Sequence, residues 1–261
     1  MKNKTKLPGI FLGIVLVVMY LPILMVVLYS FNEGKLIASW KGFSLDWYVQ
    51  LFQDEEIWEA VKNSLILGLL SCFSAAIMGT LGAVGMARVK WRTKGAVEYI
   101  STIPIMIPEI ILGMVFLTFF HLLNLPNGMV TLVIAHTAFC IPYIYMMVKA
   151  RLVGMDKALE EAAQDLGATP VRTFFDITLP LILPAVASGC LLAFAMSWDD
   201  VIISIFVTGP RVTTLPIKIY TQMKTGVTPE INALCTVMLG VTVLVLTLSG
   251  FIQKRFQKKQ L

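Results

Sequence analysis

Three carboxylate residues stand inside long apolar stretches of this 261-residue sequence: Glu109, Asp199 and Asp200. A charged side chain at the centre of a membrane helix costs about 2.5–3.5 kcal/mol on insertion scales, so such residues are candidates for binding or transport. No Lys or Arg lies in the same stretches, and the pattern therefore favours attraction of a cation from outside the chain. The alternative is that all three are structural groups, held partly protonated.

Aromatic side chains near these carboxylates could bind an organic ammonium group, because a ring face attracts a cation by about 0.5–2 kcal/mol. Trp198 adjoins Asp199, Tyr20 stands among aliphatic residues, and Trp47 lies in an acidic segment. For each of them, packing or a place at the membrane interface is the alternative. Neighbouring residues on a helix point about 100° apart, and we predict that Asp199 faces the cation while Asp200 bonds another helix.

The elements that must position these residues are membrane helices. Of all residues 57% are hydrophobic and 14% are charged, whereas a soluble domain has about 25% charged residues. Six continuous apolar stretches reach the roughly 20 residues that a spanning helix needs. They are 7–31, 63–87, 99–120, 129–148, 179–207 and 233–251. We predict an all-α integral membrane protein with one transmembrane domain over residues 1–261.

Basic residues indicate how the spans are oriented, because Lys and Arg accumulate on the cytoplasmic side. With the N-terminus inside, fifteen of the 21 basic residues fall in cytoplasmic segments. They are Lys2, Lys4, Lys6, Arg88, Lys90, Arg92, Lys94, Lys149, Arg151, Lys157, Arg172, Lys254, Arg255, Lys258 and Lys259. We predict six transmembrane helices with both termini cytoplasmic. The net charge of +5 is then a topology signal, and nucleic acid is not an expected partner.

Two connecting segments are long enough to have functions of their own. Residues 32–62 would form an extracytoplasmic loop that is acidic and rich in aromatic residues. One interpretation is an interfacial helix with an aromatic belt, and the other is a docking or substrate-collecting surface. Residues 150–180 would form a cytoplasmic loop.

The cytoplasmic loop has the sequence pattern of two short helices that meet at a sharp turn. Asp156 is a predicted N-cap of the first helix, and Gly167 stands where a C′ glycine would end it. Thr169 and Pro170 would begin the second helix, which we expect to stop before Pro180.

Phe174 and Phe175 in this loop would be exposed to water, and so small a hairpin cannot bury both rings alone. A simple surface hairpin is possible, but the exposed apolar surface favours docking into a groove of another protein.

The spacing within this loop resembles a known motif. Glu161-Ala162-Ala163 is followed after three residues by Gly167 and after nine more by Ile177, with Leu179 and Pro180 next. This pattern is similar to the EAA loop of ATP-binding-cassette (ABC) importer permeases, which docks the cytoplasmic ATPase and transmits its motion. The implied ATPase-coupling residues are Glu161, Ala162, Ala163, Gly167, Phe174, Ile177, Leu179 and Pro180.

Further segments extend the resemblance over nearly the whole chain, to the polyamine (spermidine/putrescine) type of these permeases. They are 206–210, 215–220 and 226–234, together with Tyr20-Leu21-Pro22, Trp47-Tyr48, Pro108-Glu109 and Trp198-Asp199-Asp200. The resemblance implies the ABC importer permease fold in a bacterial inner (cytoplasmic) membrane, and alternating access in which the substrate passes Asp199 and then Glu109.

The same resemblance implies several partners. They are a cytoplasmic ATPase dimer, a second related permease subunit that would make a heterodimer, an extracytoplasmic polyamine-binding protein, the polyamine itself and the lipid bilayer.

Motifs of competing activities are missing from the sequence. There is no Gly-x4-Gly-Lys-Ser/Thr phosphate loop, so a partner subunit would bind ATP and this chain would hold no cofactor. HExxH and GxSxG are also absent, and we expect the isolated His121 and His136 to be interfacial rather than metal ligands. We therefore predict a transport subunit and not an enzyme.

Other transporter classes are compatible with the same carboxylates. A cation-coupled secondary transporter would use Glu109 and Asp199 as a proton or sodium relay, but no internal inverted repeat is apparent. A cation channel would need a filter loop, and none is apparent. An ABC permease for another cationic solute or a metal ion is the remaining alternative.

Overall fold

The computed structural model describes residues 7–34, 39–89, 91–156, 158–226 and 228–257. Regular structure in these residues is helical, and Asn32 and Phe43 form an isolated antiparallel bridge. The prediction of an all-α chain is confirmed for them.

The helices in chain order are α1 (Leu7–Tyr29), α2 (Asp46–Gln53), α3 (Glu55–Arg88), α4 (Lys94–Met106), α5 (Glu109–Leu122), α6 (Met129–Val153), α7 (Ala158–Asp165), α8 (Pro170–Thr173), α9 (Leu179–Asp199), α10 (Ile202–Val207), α11 (Leu215–Thr225) and α12 (Pro229–Gln257). A π-helical turn, Phe174–Thr178, joins α8 to α9.

Among the described residues, four helices are long and apolar enough to cross a membrane, and a bent pair makes five if it counts as one span. The four are Pro8–Tyr29, Glu55–Arg88, Met129–Val153 and Pro170–Asp199, and the pair is α4 with α5. Helix α12 adds a shorter apolar stretch over Pro229–Leu244.

The predicted continuous span 99–120 is wrong, because the chain breaks between α4 and α5 and the two helices are bent by 105°. Ile107 and Pro108 are both extended there, with ψ of 129° and 132°. A residue before proline disfavours the helical region, and proline has no N–H to continue the helix. Glu109 therefore begins a helix instead of lying inside one.

The predicted span 179–207 is likewise interrupted, since α9 ends at Asp199 and α10 begins at Ile202. Asp200 is extended, with ψ of 123°. Asp side chains bond nearby backbone N–H groups and so compete with helix continuation.

The third difference is at Asp54, whose carboxylate accepts from Glu56 N at 2.8 Å. That cap starts α3 eight residues before the predicted boundary.

Met1–Trp58 with Ile219–Leu261 form one compact unit. Within it, α1 and α2 each pack against α12. After α1 the chain turns back, and the Phe31 ring stacks on Phe43 with centroids 5.4 Å apart. Helix α1 is apolar on every face and largely exposed, as a helix that contacts lipid would be.

Glu59–Lys218 form the second compact unit. Its core is made by α3, α5, α6, α9 and α10, with α6 packed along α9 and α5 along α10. Gly189 lets α9 approach α6 closely, because a Cβ there would lie 3.1 Å from the Ile144 Cα. Close helix approach at small residues is the usual packing mode inside membranes. This unit carries Glu109, Asp199, Asp200 and the whole 158–178 segment.

Candidate functional site

Both helix breaks of the second unit carry carboxylates. Glu109 is the first residue of α5, Asp199 is the last residue of α9, and Asp200 lies between α9 and α10. Since α5 packs along α10, the two breaks are neighbours, and Glu109 interacts electrostatically with both Asp199 and Asp200. These three residues are called the acidic cluster below. An acid in the first turn of a helix also complements the positive end of the helix dipole, which favours Glu109 at the start of α5.

Asp200 is held by donors of the protein itself. Its carboxylate oxygens accept from Ile203 N at 3.1 Å, from Ser204 N at 2.8 Å and from Ser204 Oγ at 2.8 Å. His136 Nε2 lies 3.4 Å from one of the same oxygens. Asp200 therefore ties the start of α10 to α6, and a buried carboxylate needs such partners to be tolerated.

His136 was predicted to be interfacial, and this is wrong: its side chain is 0% exposed. Its Nδ1 lies 2.8 Å from Ser197 Oγ of α9, and its Nε2 lies 3.0 Å from Ser204 Oγ of α10. The ring therefore bridges the two sides of the α9–α10 break. Sequence reasoning missed this role because a lone histidine in an apolar helix gives no sign of which polar groups face it.

Asp199 and Glu109 have different surroundings from Asp200. Asp199 is exposed and Glu109 is half-buried, and within the described ranges neither carboxylate has a hydrogen bond or an ion pair. No cationic side chain in this part of the chain is paired with either of them.

Aromatic side chains border the acidic cluster on two helices. Trp198 is half-buried and stacks on Phe194, with centroids 5.9 Å apart. Tyr143 of α6 lies near Glu109, and its ring meets Phe139 edge to face at 5.5 Å. Tyr143 was not singled out from the sequence, because its spacing does not distinguish it from a core aromatic residue.

Tyr20 and Trp47 belong to the other compact unit. Tyr20 is 57% exposed on α1. Trp47 is half-buried, and its indole N–H donates to the Asn32 carbonyl at 2.9 Å. That bond fixes the loop between α1 and α2, so Trp47 has a structural role whatever else it does.

The 158–178 segment forms the predicted turn and is called the hairpin below. The Asp156 carboxylate accepts from Ala158 N at 3.0 Å and caps α7. At the other end of α7, Gly167 N donates to Gln164 O at 2.8 Å and Ala168 N donates to Ala163 O at 3.0 Å. These two bonds form a Schellman motif.

The turn itself depends on Gly167, whose φ of +86° lies in the left-handed region. Thr169 Oγ1 then accepts from Arg172 N at 3.3 Å, and Pro170 begins α8. The part of the hairpin from Pro170 onward is called its second limb. The predicted turn is confirmed, but its second limb does not stop before Pro180.

That second limb runs through the π turn into α9. Leu179 N donates to Phe174 O, five residues back. This wider turn lets the helix pass Pro180, which has no N–H of its own to donate. Pro170–Asp199 is therefore one continuous helical run of 30 residues, with the hairpin at one end and Asp199 at the other.

The predicted coupling residues divide by exposure. Exposed are Glu161, Ala162, Gly167 and Pro180; half-buried are Ala163, Phe174, Ile177 and Leu179. The expectation that both phenylalanines are exposed is wrong for Phe174, which packs against the core of the unit. Phe175 is 58% exposed. Because the second limb is helical, the adjacent rings of Phe174 and Phe175 point in different directions. The prediction that both are exposed did not take this into account.

A shallow groove of about 260 Å³ lies along the hairpin. It is lined by Ala163, Leu166, Gly167, Ala168, Arg172, Thr173, Asp176 and Ile177. Leu166, one of these residues, is 90% exposed, and exposed apolar surface of this kind suits contact with another protein.

Glu160, one residue before the predicted motif, is a second residue that sequence reasoning missed. Its carboxylate accepts a hydrogen bond from Thr178 Oγ1 and lies 3.3 Å from Arg88 Nη2. Glu161 next to it is exposed, and no hydrogen bond or ion pair to it occurs in the described part of the chain.

A metal site is not indicated: the described residues contain no cluster of three or more His, Cys, Asp or Glu that could hold an ion.

A family model described as the binding-protein-dependent transport system inner membrane component matches residues 75–261. The chain belongs to this family. As a binding-protein-dependent transport component it is a multi-pass protein of the inner membrane and a transport protein, not an enzyme.

Two named relatives of this transport component cover most of both chains. The putrescine transport system permease protein PotI of Escherichia coli (strain K12) is 41% identical over 250 residues, 93% of this chain and 89% of that protein. The spermidine/putrescine transport system permease protein PotC of Haemophilus influenzae is 39% identical over 245 residues, 94% of this chain and 95% of that protein.

Solved structures share the fold of this transport component. A bacterial ABC transporter involved in the import of the acidic polysaccharide alginate has a chain with a TM-score of 0.74 and 14% identity, covering 97% of this chain and 98% of that one. The alginate transporter in complex with an alginate pentasaccharide-bound periplasmic protein gives a TM-score of 0.73 and 21% identity over 92% of this chain and 90% of that one. The likeness to ABC importer chains is therefore one of fold, and it carries no information on the solute.

Proposed function

We propose that the chain is the membrane-spanning permease subunit of an ATP-driven ABC importer for polyamines, spermidine or putrescine. The observation that carries this proposal is the 41% identity, over 93% of the chain, to a permease named for putrescine transport. The acidic cluster supports the same substrate class, because two of its carboxylates lack a protein cation among the described residues.

In this proposal the chain is a single permease domain that crosses the membrane six times with both termini cytoplasmic. Residues 32–62 lie on the extracytoplasmic side, where a polyamine-binding protein delivers the substrate. Residues 150–180 lie on the cytoplasmic side, where an ATPase dimer binds. A second related permease subunit completes the pathway, since six helices make half of the pore.

Asp199 and Glu109 attract the ammonium groups of the polyamine as it crosses. A charge-assisted hydrogen bond to a carboxylate is about twice as strong as a neutral one. The Trp198 ring lies next to Asp199 in sequence and offers a cation–π contact of about 0.5–2 kcal/mol. Tyr20 and Trp47 offer further aromatic faces to the polyamine. Asp200 acts indirectly, by holding the break at which Asp199 stands.

The hairpin carries the ATPase contact. Glu161, Ala162 and Gly167 are exposed on it, and the groove beside them is apolar enough to receive part of a partner. Movement of the hairpin on ATP binding would tilt α9 and so change access to Asp199, which is the alternating-access scheme. ATP itself is bound by the partner, because this sequence has no phosphate loop.

The deciding experiment is uptake by the complete importer in proteoliposomes with ATP inside. Labelled spermidine and putrescine should enter only with ATP and the binding protein, and alginate should serve as the anionic control. A matched preparation whose ATPase cannot hydrolyse ATP should take up neither polyamine. Uptake that continues there would favour a cation-coupled secondary transporter, and uptake of anions alone would contradict the polyamine assignment.

A further inference from the structure

The base of α9 is tied to three other helices by two polar side chains. Glu160 of α7 contacts both Thr178, the last residue of the π turn, and Arg88, the last residue of α3. Arg151 of α6 adds a second tie, donating from Nε to the Leu181 carbonyl at 3.0 Å. The first turn of α9 is therefore fixed to α3, α6 and α7 at once.

One oxygen atom of Glu160, Oε1, makes both of its contacts. It accepts a hydrogen bond from the Thr178 hydroxyl and lies 3.3 Å from the Arg88 guanidinium. The Glu160 side chain is 20% exposed and Thr178 is fully buried, so water competes little for the hydroxyl. A hydrogen bond to a charged acceptor is about twice as strong as a neutral one. This favours Glu160 over a neutral residue at position 160.

The Glu160–Thr178 contact matters because of the helices on either side of it. On one side are α7 and α8 of the hairpin, and on the other is α9, which carries Asp199 at its far end. The π turn between them departs from the regular α-helical hydrogen-bond pattern, and such turns recur at functional sites. Glu160 of α7 contacts Thr178, the last residue of this turn.

We propose that Glu160 is a positioning residue that makes the hairpin and α9 move together, separate in role from the exposed Glu161 that faces the ATPase. This rests on the proposed function. Loss of the Glu160 carboxylate would let the π turn absorb movement of the hairpin, so that ATP is hydrolysed without a matching movement of Asp199.

The test uses the complete importer in proteoliposomes and measures polyamine uptake and ATP hydrolysis in the same vesicles. With Glu160→Ala, polyamine moved per ATP should fall about two- to thirtyfold, the range in which residues that link two sites modulate coupling. The ATPase should still copurify in the wild-type ratio. Arg88→Gln should lower the same ratio, and its matched control Arg92→Gln, at an exposed arginine four residues on, should leave it unchanged.

A charge exchange separates a positioning role from a general loss of structure. Arg88→Glu combined with Glu160→Arg restores an ion pair and should recover part of the uptake per ATP that either single change loses. If Glu160→Ala assembles poorly, Glu160→Gln keeps an acceptor for Thr178 and should give an intermediate ratio.

Two results would overturn the role of Glu160. One is an unchanged uptake per ATP in both Glu160 variants, and the other is loss of the ATPase from the complex, which would make Glu160 a docking residue. Failure of the polyamine assignment looks different, because the unmutated importer itself would then take up no polyamine. In that case the ATP hydrolysis that the loaded binding protein stimulates in the variants still decides the role of Glu160.

Discussion

The imidazole Nε2 of His136 lies 3.4 Å from a carboxylate oxygen of Asp200, and both side chains are buried. Asp199 precedes Asp200 directly in sequence but is exposed. Two adjacent acids thus have opposite surroundings, one enclosed by donors of the protein and the other open. Asp200 holds the break between α9 and α10, whereas the proposed function assigns the exposed Asp199 to the solute.

His136→Phe should destabilise the chain while keeping the ring volume similar. The substitution removes the donor next to Asp200 and the bridge between Ser197 and Ser204, and an unsatisfied buried polar group costs about 1–3 kcal/mol. The thermal unfolding midpoint of the purified importer in detergent measures this. His121→Phe, at an exposed histidine near the end of α5, is the control that should not change it. Equal midpoints for both variants would contradict the role of the imidazole.

Asp199→Asn and Asp200→Asn should have different effects. Asp199→Asn should raise the KM for polyamine uptake about ten- to a hundredfold, because a hydrogen bond to a charged group contributes about 1.5–3 kcal/mol. It should leave the unfolding midpoint unchanged. Asp200→Asn should lower the midpoint, since the amide cannot accept from all the donors that the carboxylate serves. Uptake kinetics and thermal unfolding of both variants check this. A stable Asp200→Asn protein with only its KM raised would reverse the assignment.

Glu109→Gln should lower polyamine uptake while the complex still assembles. The carboxylate is half-buried without a hydrogen bond or ion pair in the described residues, so its loss removes attraction for the cation and breaks no protein contact. Glu109→Asp keeps the charge and should retain most of the activity. Uptake rates, with copurification of the ATPase as the measure of assembly, make the comparison. Wild-type uptake by Glu109→Gln would remove Glu109 from the pathway.

Gly167→Val should reduce coupling or release the ATPase. No other atom lies within 4 Å of a Cβ built at Gly167, so the effect comes from the backbone: a φ of +86° costs a side-chain-bearing residue about 1–2 kcal/mol. Gly167→Asn should be milder, because Asn tolerates this region. Gly154→Val is the matched control, at a turn with φ of −87°. ATPase binding and uptake per ATP would be measured, and unchanged values in Gly167→Val would contradict a role for the turn.

The parts of the fold that the sequence predicted are those with local causes. Gly167 ends α7 because only glycine adopts its φ readily, and Asp156 and Thr169 cap helices through their own nearest N–H groups. The three carboxylates could be found because a charge in an apolar stretch is costly wherever it occurs. These signals act within a few residues, and a sequence displays them directly.

The parts that the sequence did not predict depend on contacts between distant segments. His136 acts through Ser197 and Ser204, more than sixty residues away, and Glu160 acts through Arg88, seventy-two residues away. The helix break at Asp200 has no proline to mark it. Pro180 predicted a helix end, but a change in the hydrogen-bond pattern upstream accommodated it instead. These last two differences are local instead: the Asp200 carboxylate bonds the N–H groups of Ile203 and Ser204, and the π turn shifts the hydrogen bonds ahead of Pro180.

The continuity of the helical run Pro170–Asp199 has a geometrical consequence. Thirty residues at about 1.5 Å each make a rod about 45 Å long, so pivoting its cytoplasmic end by about 5° would swing the opposite tip sideways by about 4 Å. That swing exceeds the reach of a hydrogen bond. In the proposed import cycle, a small rotation at the hairpin end is therefore enough to make or break a contact between Asp199 and the polyamine.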